Sequence, residues 1–204
     1  MSDVVSTVAG VVVAVAAAAT AFFAWRGVNT WRRQLKGHAE YELARTALRA
    51  AYQVRDAFSM VRSPFMSSGE QAAALAEVDP EAKDLDPSSD DARARALAAG
   101  YQVRWRTVAS ALSDLDLARV ESEAMWGVEA AACFAELRRC AAELNAALTM
   151  YLRRERETYR VAPPTDFDEQ QFRTVYGGGE SDEFWERVKS AVGAVEAFFR
   201  PKLK

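Results

Sequence analysis

Apolar residues recur every three or four positions through most of this chain, a spacing that predicts amphipathic helices and no strand. The first such stretch follows Arg26 and runs to about Arg62, where Ser63 and Pro64 predict its end. One face of this helix is predicted to bury Leu43, Ala47, Leu48, Ala50, Ala51, Val54, Ala57, Phe58 and Val61.

A second and a third amphipathic helix are predicted in the middle of the chain. The second begins at a cap supplied by Asp90 or Asp91 and ends near Leu117, and a break over 119–122 separates it from the third, which ends near Thr158. Their apolar stripes are Tyr101, Trp105, Val108, Leu112 and Leu115 in the second helix, and Cys133, Leu137, Cys140, Leu144, Leu148 and Tyr151 in the third. A spacing that alternates between four and three residues is typical of helices that pack against other helices.

A fourth helix and two connections complete the pattern. A cap at Ser181 or Asp182 begins the fourth helix. A short helix is predicted around 70–78, then a mobile acidic linker at 79–91, and a loop at 160–180 precedes the fourth helix. The buried face of the fourth helix is Phe184, Val188, Val192, Val195 and Phe199.

The start of the chain has a different pattern. Val4–Trp25 contains 22 residues without a charge, about 33 Å of helix against a hydrocarbon core of about 30 Å. A cleaved signal peptide would begin with basic residues where this chain has Asp3, and a buried soluble helix is the other alternative. We predict an all-α protein in which a transmembrane anchor at 1–26 continues into a cytoplasmic domain at 27–204 that is like an antiparallel four-helix bundle.

Basic and aromatic residues follow the apolar segment directly. Because only Asp3 is charged before it, the positive-inside bias places the N-terminus outside and the domain in the cytoplasm, at a bacterial inner membrane. Aromatic rings there are typical of the membrane interface, and the cations suit anionic lipid. The predicted lipid contacts are Trp25, Arg26, Trp31, Arg32, Arg33 and Lys36.

Small residues and net charge indicate the partners. Gly10, Ala14 and Ala18 recur every four residues, which lets two helices approach closely and predicts self-association in the span. The net charge of −3 is no reason to expect nucleic acid. The expected partners are therefore the bilayer and a protein, either another copy or a different chain.

The residues with reactive side chains do not form a recognisable motif. His38 is the only histidine, which excludes a two-histidine zinc site and the ferritin-like di-iron pattern. Cys133 and Cys140 lie about 10 Å apart on one helix, too far for a disulfide, so we expect reduced, buried thiols. The acidic linker lacks the EF-hand glycine, and Gly177–Gly179 lacks the strand and lysine of a phosphate loop.

Carboxylates also come together at the predicted break. Asp114, Asp116, Glu121 and Glu123 would lie near one another if the chain turned there, and paired carboxylates can do acid–base chemistry. Surface carboxylates at a turn seldom do so. No catalytic, cofactor or metal site is predicted.

Three stretches of helix-surface sequence carry a resemblance to other proteins. They are 31–37 with 40–45, 52–57 with 61–64, and Glu183–Phe184 with Arg200–Pro201. They resemble a group of uncharacterised bacterial proteins with one N-terminal transmembrane helix and a helical cytoplasmic domain. The resemblance implies this architecture and no catalytic residue.

The expected function is a non-enzymatic, membrane-anchored interaction, scaffold or accessory module. The alternative is a small membrane-tethered effector, a defence or toxicity factor that acts by association at the membrane. An enzymatic site assembled from residues distant in the sequence stays open as well.

Overall fold

A computed structural model of the chain describes residues 2–84, 86, 88–157, 166–177 and 182–203. Within these ranges the side chains of residues 2–19, 21, 29, 83, 84, 157, 166–168, 170 and 171 are not described. The described helices are α1 (Ser2–Val61), α2 (Ser68–Val78), α3 (Asp90–Trp126), α4 (Val128–Ala132), α5 (Ala135–Glu157), α6 (Asp166–Tyr176) and α7 (Glu183–Phe199), with 3₁₀ turns at Pro80–Asp84 and Arg200–Leu203. These ranges contain no strand, and the all-α class is confirmed. The chain divides into two compact units, Met1–Glu42 and Leu43–Lys204.

The core of the unit Leu43–Lys204 is made of the helix faces that the apolar pattern predicts. In α1 every predicted position is buried, from Leu43 to Val61. In α3 the seam residues are buried or pack against the core. In α7 the five predicted residues are all buried. The rings of Phe58 and Phe184, whose centroids lie 6.2 Å apart, bring α1 and α7 together.

The predicted break at 119–122 is wrong, because α3 continues to Trp126. Ala118 and Ser122 are both fully buried, so the helical face that faces the core runs through this segment. Helix α3 ends at Gly127 instead, whose φ of +83° is a conformation that glycine adopts without strain. The chain after Gly127 then forms two helices, α4 and α5, where one was predicted.

The segment predicted as a loop at 160–180 contains α6. Val175 and Thr174 are buried there, and α6 packs against α5. The prolines at 163 and 164 and the glycines at 177–179 indicated a loop, but α6 lies between them. The acidic linker likewise contains the 3₁₀ turn Pro80–Asp84, with Ala82 buried.

Helix caps agree with the prediction in part. Ser89, and not Asp90 or Asp91, caps α3, since its hydroxyl accepts a hydrogen bond from the backbone N–H of Ala92. The predicted cap at Asp182 is confirmed, because its carboxylate accepts from the N–H of Trp185 at 3.0 Å. The alternative cap, Ser181, lies outside the described residues. The predicted short helix is confirmed as α2.

Among the side chains that the structure describes, no helix has both the length and the apolar character to cross a membrane. The side chains of Gly10, Ala14 and Ala18, and most of the predicted span with them, lie outside the described residues. Self-association through this segment stays a prediction. The four-helix-bundle arrangement stays a prediction as well.

Candidate functional site

Large apolar side chains are exposed along α1 in the unit Met1–Glu42. Phe23, Trp25 and Trp31 are 69%, 64% and 61% exposed. The ring of Phe22 contacts both Phe23 and Trp25, with centroids 5.9 and 6.4 Å apart. The predicted lipid-contact residues are all exposed in this helix, and we call residues 22–36 the aromatic–basic segment. Exposed apolar surface of this kind marks an interaction with a membrane or another protein.

A cleft of about 530 Å³ lies within the unit Leu43–Lys204, between α1 and the 3₁₀ turn after α7. Its lining is Arg45, Leu48, Arg49, Tyr52, Gln53, Asp56, Arg200 and Leu203. The residues from α1 recur every three or four positions and therefore share one side of the helix. We call this site the arginine cleft.

Hydrogen bonds to Glu196 of α7 connect Tyr52 and Arg200, two residues that line the arginine cleft. Glu196 Oε1 accepts from the hydroxyl of Tyr52 at 2.6 Å and from Nη2 of Arg200 at 2.8 Å. The hydrogen bond with Tyr52 and the charge of Glu196 raise the pKa of Arg200. On the opposite side Asp56 pairs with Arg55 at 2.8 Å. Three cationic side chains and one anionic side chain line the cleft.

Arg62 is a buried arginine at the end of α1, only 7% exposed. Its Nε donates to the carbonyl of Thr174 at 2.8 Å, and Nη2 donates to the carbonyl of Arg173 at 3.2 Å. These carbonyls belong to the last turn of α6, where that of Arg173 also accepts from the N–H of Gly177 at 2.8 Å. Nη1 also forms an ion pair with Asp182 at 2.8 Å. One guanidinium group thus joins the end of α1, the end of α6 and the cap of α7.

The surroundings of Arg62 are closely packed. Its guanidinium lies 4.8 Å from the ring centroid of Phe184, a cation–π geometry. Gly177 has a φ of +71°, which favours glycine, and a Cβ there would lie 3.0 Å from Oδ2 of Asp182, a tight contact. A cleft of about 350 Å³ beside this group is lined by Ser59, Arg62, Ser63, Pro64, Tyr176, Asp182 and Trp185.

Arg104 is the second buried arginine, in α3, and 8% exposed. It binds Glu70 of α2 in a bidentate pair, with Nε···Oε1 at 2.7 Å and Nη2···Oε2 at 3.1 Å. It also donates to the carbonyls of Ser63 at 2.9 Å and Phe65 at 2.7 Å. The hydrogen bond to Arg104 lowers the pKa of Glu70. Arg104 therefore holds the connection between α1 and α2, a role that the sequence pattern did not indicate.

Three tyrosines from α3, α5 and α6 form a cluster. The hydroxyl oxygens of Tyr101 and Tyr176 lie 2.6 Å apart in a hydrogen bond. The ring of Tyr151 packs edge-on against both others, with centroids 6.1 and 5.2 Å away. Burial raises the pKa of all three hydroxyls. They stay neutral near neutral pH and act as hydrogen-bonding core residues.

The tyrosine cluster predicts a loss of stability in alkali. A tyrosine whose pKa is raised in the folded state contributes stability below its unfolded pKa of about 10, and that contribution falls as pH rises further. We expect the free energy of unfolding, measured with urea in uncharged detergent, to decrease from about pH 10 upward. The decrease should be smaller in Tyr151→Phe than in the wild type. The exposed Tyr41→Phe should behave as the wild type does, and equal slopes for all three proteins would contradict the assignment.

The other residues with reactive side chains do not form a site within the described ranges. Cys133 and Cys140 are free thiols, but only Cys140 is buried as predicted, because Cys133 is half-buried and lies between α4 and α5 rather than on one helix with Cys140. Burial raises the pKa of Cys133, and raises that of Cys140 to about 11, so neither is a ready nucleophile. Because α3 is continuous, Asp114 and Glu121 are seven residues, about 10 Å, apart along one helix, and do not meet across a turn. Asp116 pairs with Arg138 of α5 at 3.2 Å.

The geometry defines an all-α protein whose two buried arginines hold helix ends and connections. In the part of the chain that the structure describes, no group of three His, Cys, Asp or Glu side chains could hold a metal ion. Comparison of the chain with protein-family models, with curated proteins and with solved structures gave no match.

Proposed function

We propose that the chain is a single-pass, membrane-anchored helical module that acts by binding and not by catalysis. Residues 1–26 form the anchor, with the N-terminus outside, and residues 27–204 form a cytoplasmic domain like an antiparallel four-helix bundle, at a bacterial inner membrane. The observation that carries the proposal is the exposure of the aromatic–basic segment, residues 22–36.

The composition of that segment supports a place at the membrane interface. Trp25 and Trp31 have an apolar ring with a polar N–H, the combination that favours the headgroup region. Arg26, Arg32 and Lys36 add cations, each worth about 1 kcal/mol near an anionic leaflet. The uncharged stretch Val4–Trp25 precedes them in the sequence. Apolar rings exposed to water cost free energy, whereas rings and cations are both favourable at the headgroup region.

The buried side chains support binding over catalysis. Arg62 and Arg104 are the buried charged residues among the described side chains, and each already bonds main-chain carbonyls and a carboxylate. Both guanidinium groups are therefore bound within the fold, which supports a structural role for these two charges. The bundle-like arrangement is supported by the shared core, to which α1, α3, α5 and α7 all contribute.

Charge placed inside the predicted anchor tests the proposal. We expect the full chain, expressed in bacteria, to sediment with membranes and to resist an alkaline carbonate wash. Val12→Arg with Ala16→Arg should move it to the soluble fraction, since each arginine near a helix centre costs about 3 kcal/mol of insertion energy. Protease added to spheroplasts should leave the domain intact, because it lies inside.

The matched control carries the same two charges on an exposed part of α3. Ala109→Arg with Ser110→Arg should leave the chain in the membrane. After gentle detergent extraction the wild type should elute as a complex larger than the monomer. A wild-type chain that is soluble without detergent, or a domain digested from outside, would contradict the anchor, and a monomer without a bound protein would contradict the binding role.

A further inference from the structure

We infer that an exposed strip of α3 binds a basic amphipathic helix of another protein. The strip consists of Leu117, Val120 and Ala124, and we call it the α3 strip. The inference deepens the proposed binding role and rests on it. It does not depend on the anchor, because the α3 strip lies within the unit Leu43–Lys204.

The residues of the α3 strip lie on the side of the helix that faces away from the core. Leu117 is 59% exposed and Val120 is 52% exposed. Their spacing, three residues and then four to Ala124, places all three along one line of the helix surface. Ala118 and Ser122, which are fully buried, occupy the core side of the same segment. Polar residues are expected on a helix side that meets only water, so the apolar line indicates a docking surface.

Two further apolar side chains are exposed where α3 ends. Met125 is 39% exposed, and Val128, which begins α4 directly after Gly127, is 72% exposed. Exposed apolar residues therefore recur over residues 117–128, which is about three turns of helix. A docked helix needs about this length to place the anchor residues of its apolar face.

Carboxylates border the α3 strip. Asp114 and Glu121 are exposed and seven residues apart, which places them on the same side of the strip. Glu129 of α4 is exposed as well. Among the described residues, none of these three side chains has an ion pair or a hydrogen bond. On the other side of the strip Glu123 pairs with Arg119 at 3.3 Å, so the net charge of the border is negative.

The negative border decides between the occupants of the α3 strip. A second copy that docked through the same strip would bring carboxylates against carboxylates, and like charges across an interface repel. An anionic membrane leaflet would be repelled in the same way. A helix with lysine or arginine beside its apolar face would pair with Asp114 and Glu121, while its apolar residues contact Leu117 and Val120.

Binding of two synthetic peptides to the full chain in uncharged detergent tests the inference. Both peptides are helices in which leucine recurs every three or four residues. The basic peptide has lysine at the remaining positions, and the acidic peptide has glutamate there. Each carries a fluorophore whose anisotropy is followed as protein is added, and binding to detergent alone is subtracted. We expect the basic peptide to bind about tenfold more tightly, because only its charges pair with the carboxylates.

Substitutions in the α3 strip and its border locate the site. Leu117→Ser should weaken binding of the basic peptide about tenfold, since the leucine no longer buries apolar surface against the peptide. Asp114→Lys with Glu121→Lys should reverse the preference, so that the acidic peptide binds more tightly than the basic peptide.

The matched controls carry the same kinds of change at exposed positions outside the α3 strip. Glu81→Lys with Glu169→Lys reverses two charges, and Met60→Ser shortens a side chain that is 50% exposed. These variants should leave both affinities unchanged. Because every substituted position is exposed, all variants should keep the melting temperature of the wild type.

The outcomes distinguish the proposed occupant from the others. A preference for the basic peptide that Asp114→Lys with Glu121→Lys reverses supports the inference. Equal affinities for the two peptides would show that the strip responds to apolar area alone, as a lipid-facing surface does. A complex whose mass falls in Leu117→Ser without peptide would identify a second copy. Either result overturns the inference, as does the absence of binding or an equal loss in the controls.

The titration also separates this inference from the anchor. If neither peptide binds, the sedimentation of the chain with membranes is unaffected. If the chain proves soluble without detergent, both peptides can still be titrated against it.

Discussion

Replacing Arg62 by methionine is expected to lower the free energy of unfolding by about 3 kcal/mol, the low end for breaking a buried ion pair. The substitution removes the guanidinium donor from the carbonyls of Thr174 and Arg173, of which the latter keeps the N–H of Gly177, and it removes the cation beside Asp182. Asp182 is 31% exposed, so water compensates for part of the loss. Methionine keeps most of the volume, and the effect therefore reports the polar contacts rather than a cavity.

Urea unfolding of the full chain in uncharged detergent, followed by tryptophan fluorescence, measures this effect. Arg93→Met is the matched control, because Arg93 and its partner Asp90 are both exposed and surface pairs contribute about 0–1 kcal/mol. A double-mutant cycle with Asp182→Asn isolates the ion pair from the carbonyl contacts. Equal losses in Arg62→Met and Arg93→Met would show that Arg62 does not join these helix ends.

Replacing Phe199 by alanine is expected to cost about 4 kcal/mol, as large-to-small changes of buried aromatic residues do. Phe199 is fully buried at the end of α7. Its ring centroid lies 5.5 Å from that of Phe134 and 5.6 Å from that of Trp126. The loss would leave a cavity among the ends of α3, α5 and α7.

The same substitution should also displace Arg200 from the arginine cleft, because Arg200 follows Phe199 directly in the chain. Phe199→Leu should cost less, about 1–2 kcal/mol, since it keeps much of the volume. Phe65→Ala, at a ring that is 76% exposed, should change stability by less than about 0.5 kcal/mol. Equal losses of unfolding free energy in Phe65→Ala and Phe199→Ala would show that the packing of Phe199 against Phe134 and Trp126 does not stabilise the 3₁₀ turn Arg200–Leu203.

The apolar pattern was a reliable guide where a helix buries a long face. Tyr101, Val108 and Leu115 of α3 are buried as their spacing predicts. The pattern failed at α6, where the prolines at 163 and 164 and the glycines at 177–179 indicated a loop although a helix lies between them. It failed again at 119–122, where a break was predicted although Ala118 and Ser122 continue the buried face.

The arginine cleft could not be predicted from the sequence, for a different reason. The positions of Arg45 and Arg49 indicated the solvated side of an amphipathic helix. No pattern of neighbouring residues relates them to Arg200. The lipid-contact residues Trp25 and Trp31 could be predicted, since their signal is their order along one short segment. Their contact with lipid is still to be tested.

The sequence by itself determined the all-α class and the buried faces of α1, α3, α5 and α7, because helical periodicity is a property of neighbouring residues. Only the tertiary structure decided that Arg62 and Arg104 are structural residues and that Arg200 completes the arginine cleft. Each of these roles depends on partners from other helices, such as Asp182 for Arg62 and Glu70 for Arg104. Contacts between distant segments form when the helices pack, and no spacing along one segment encodes them.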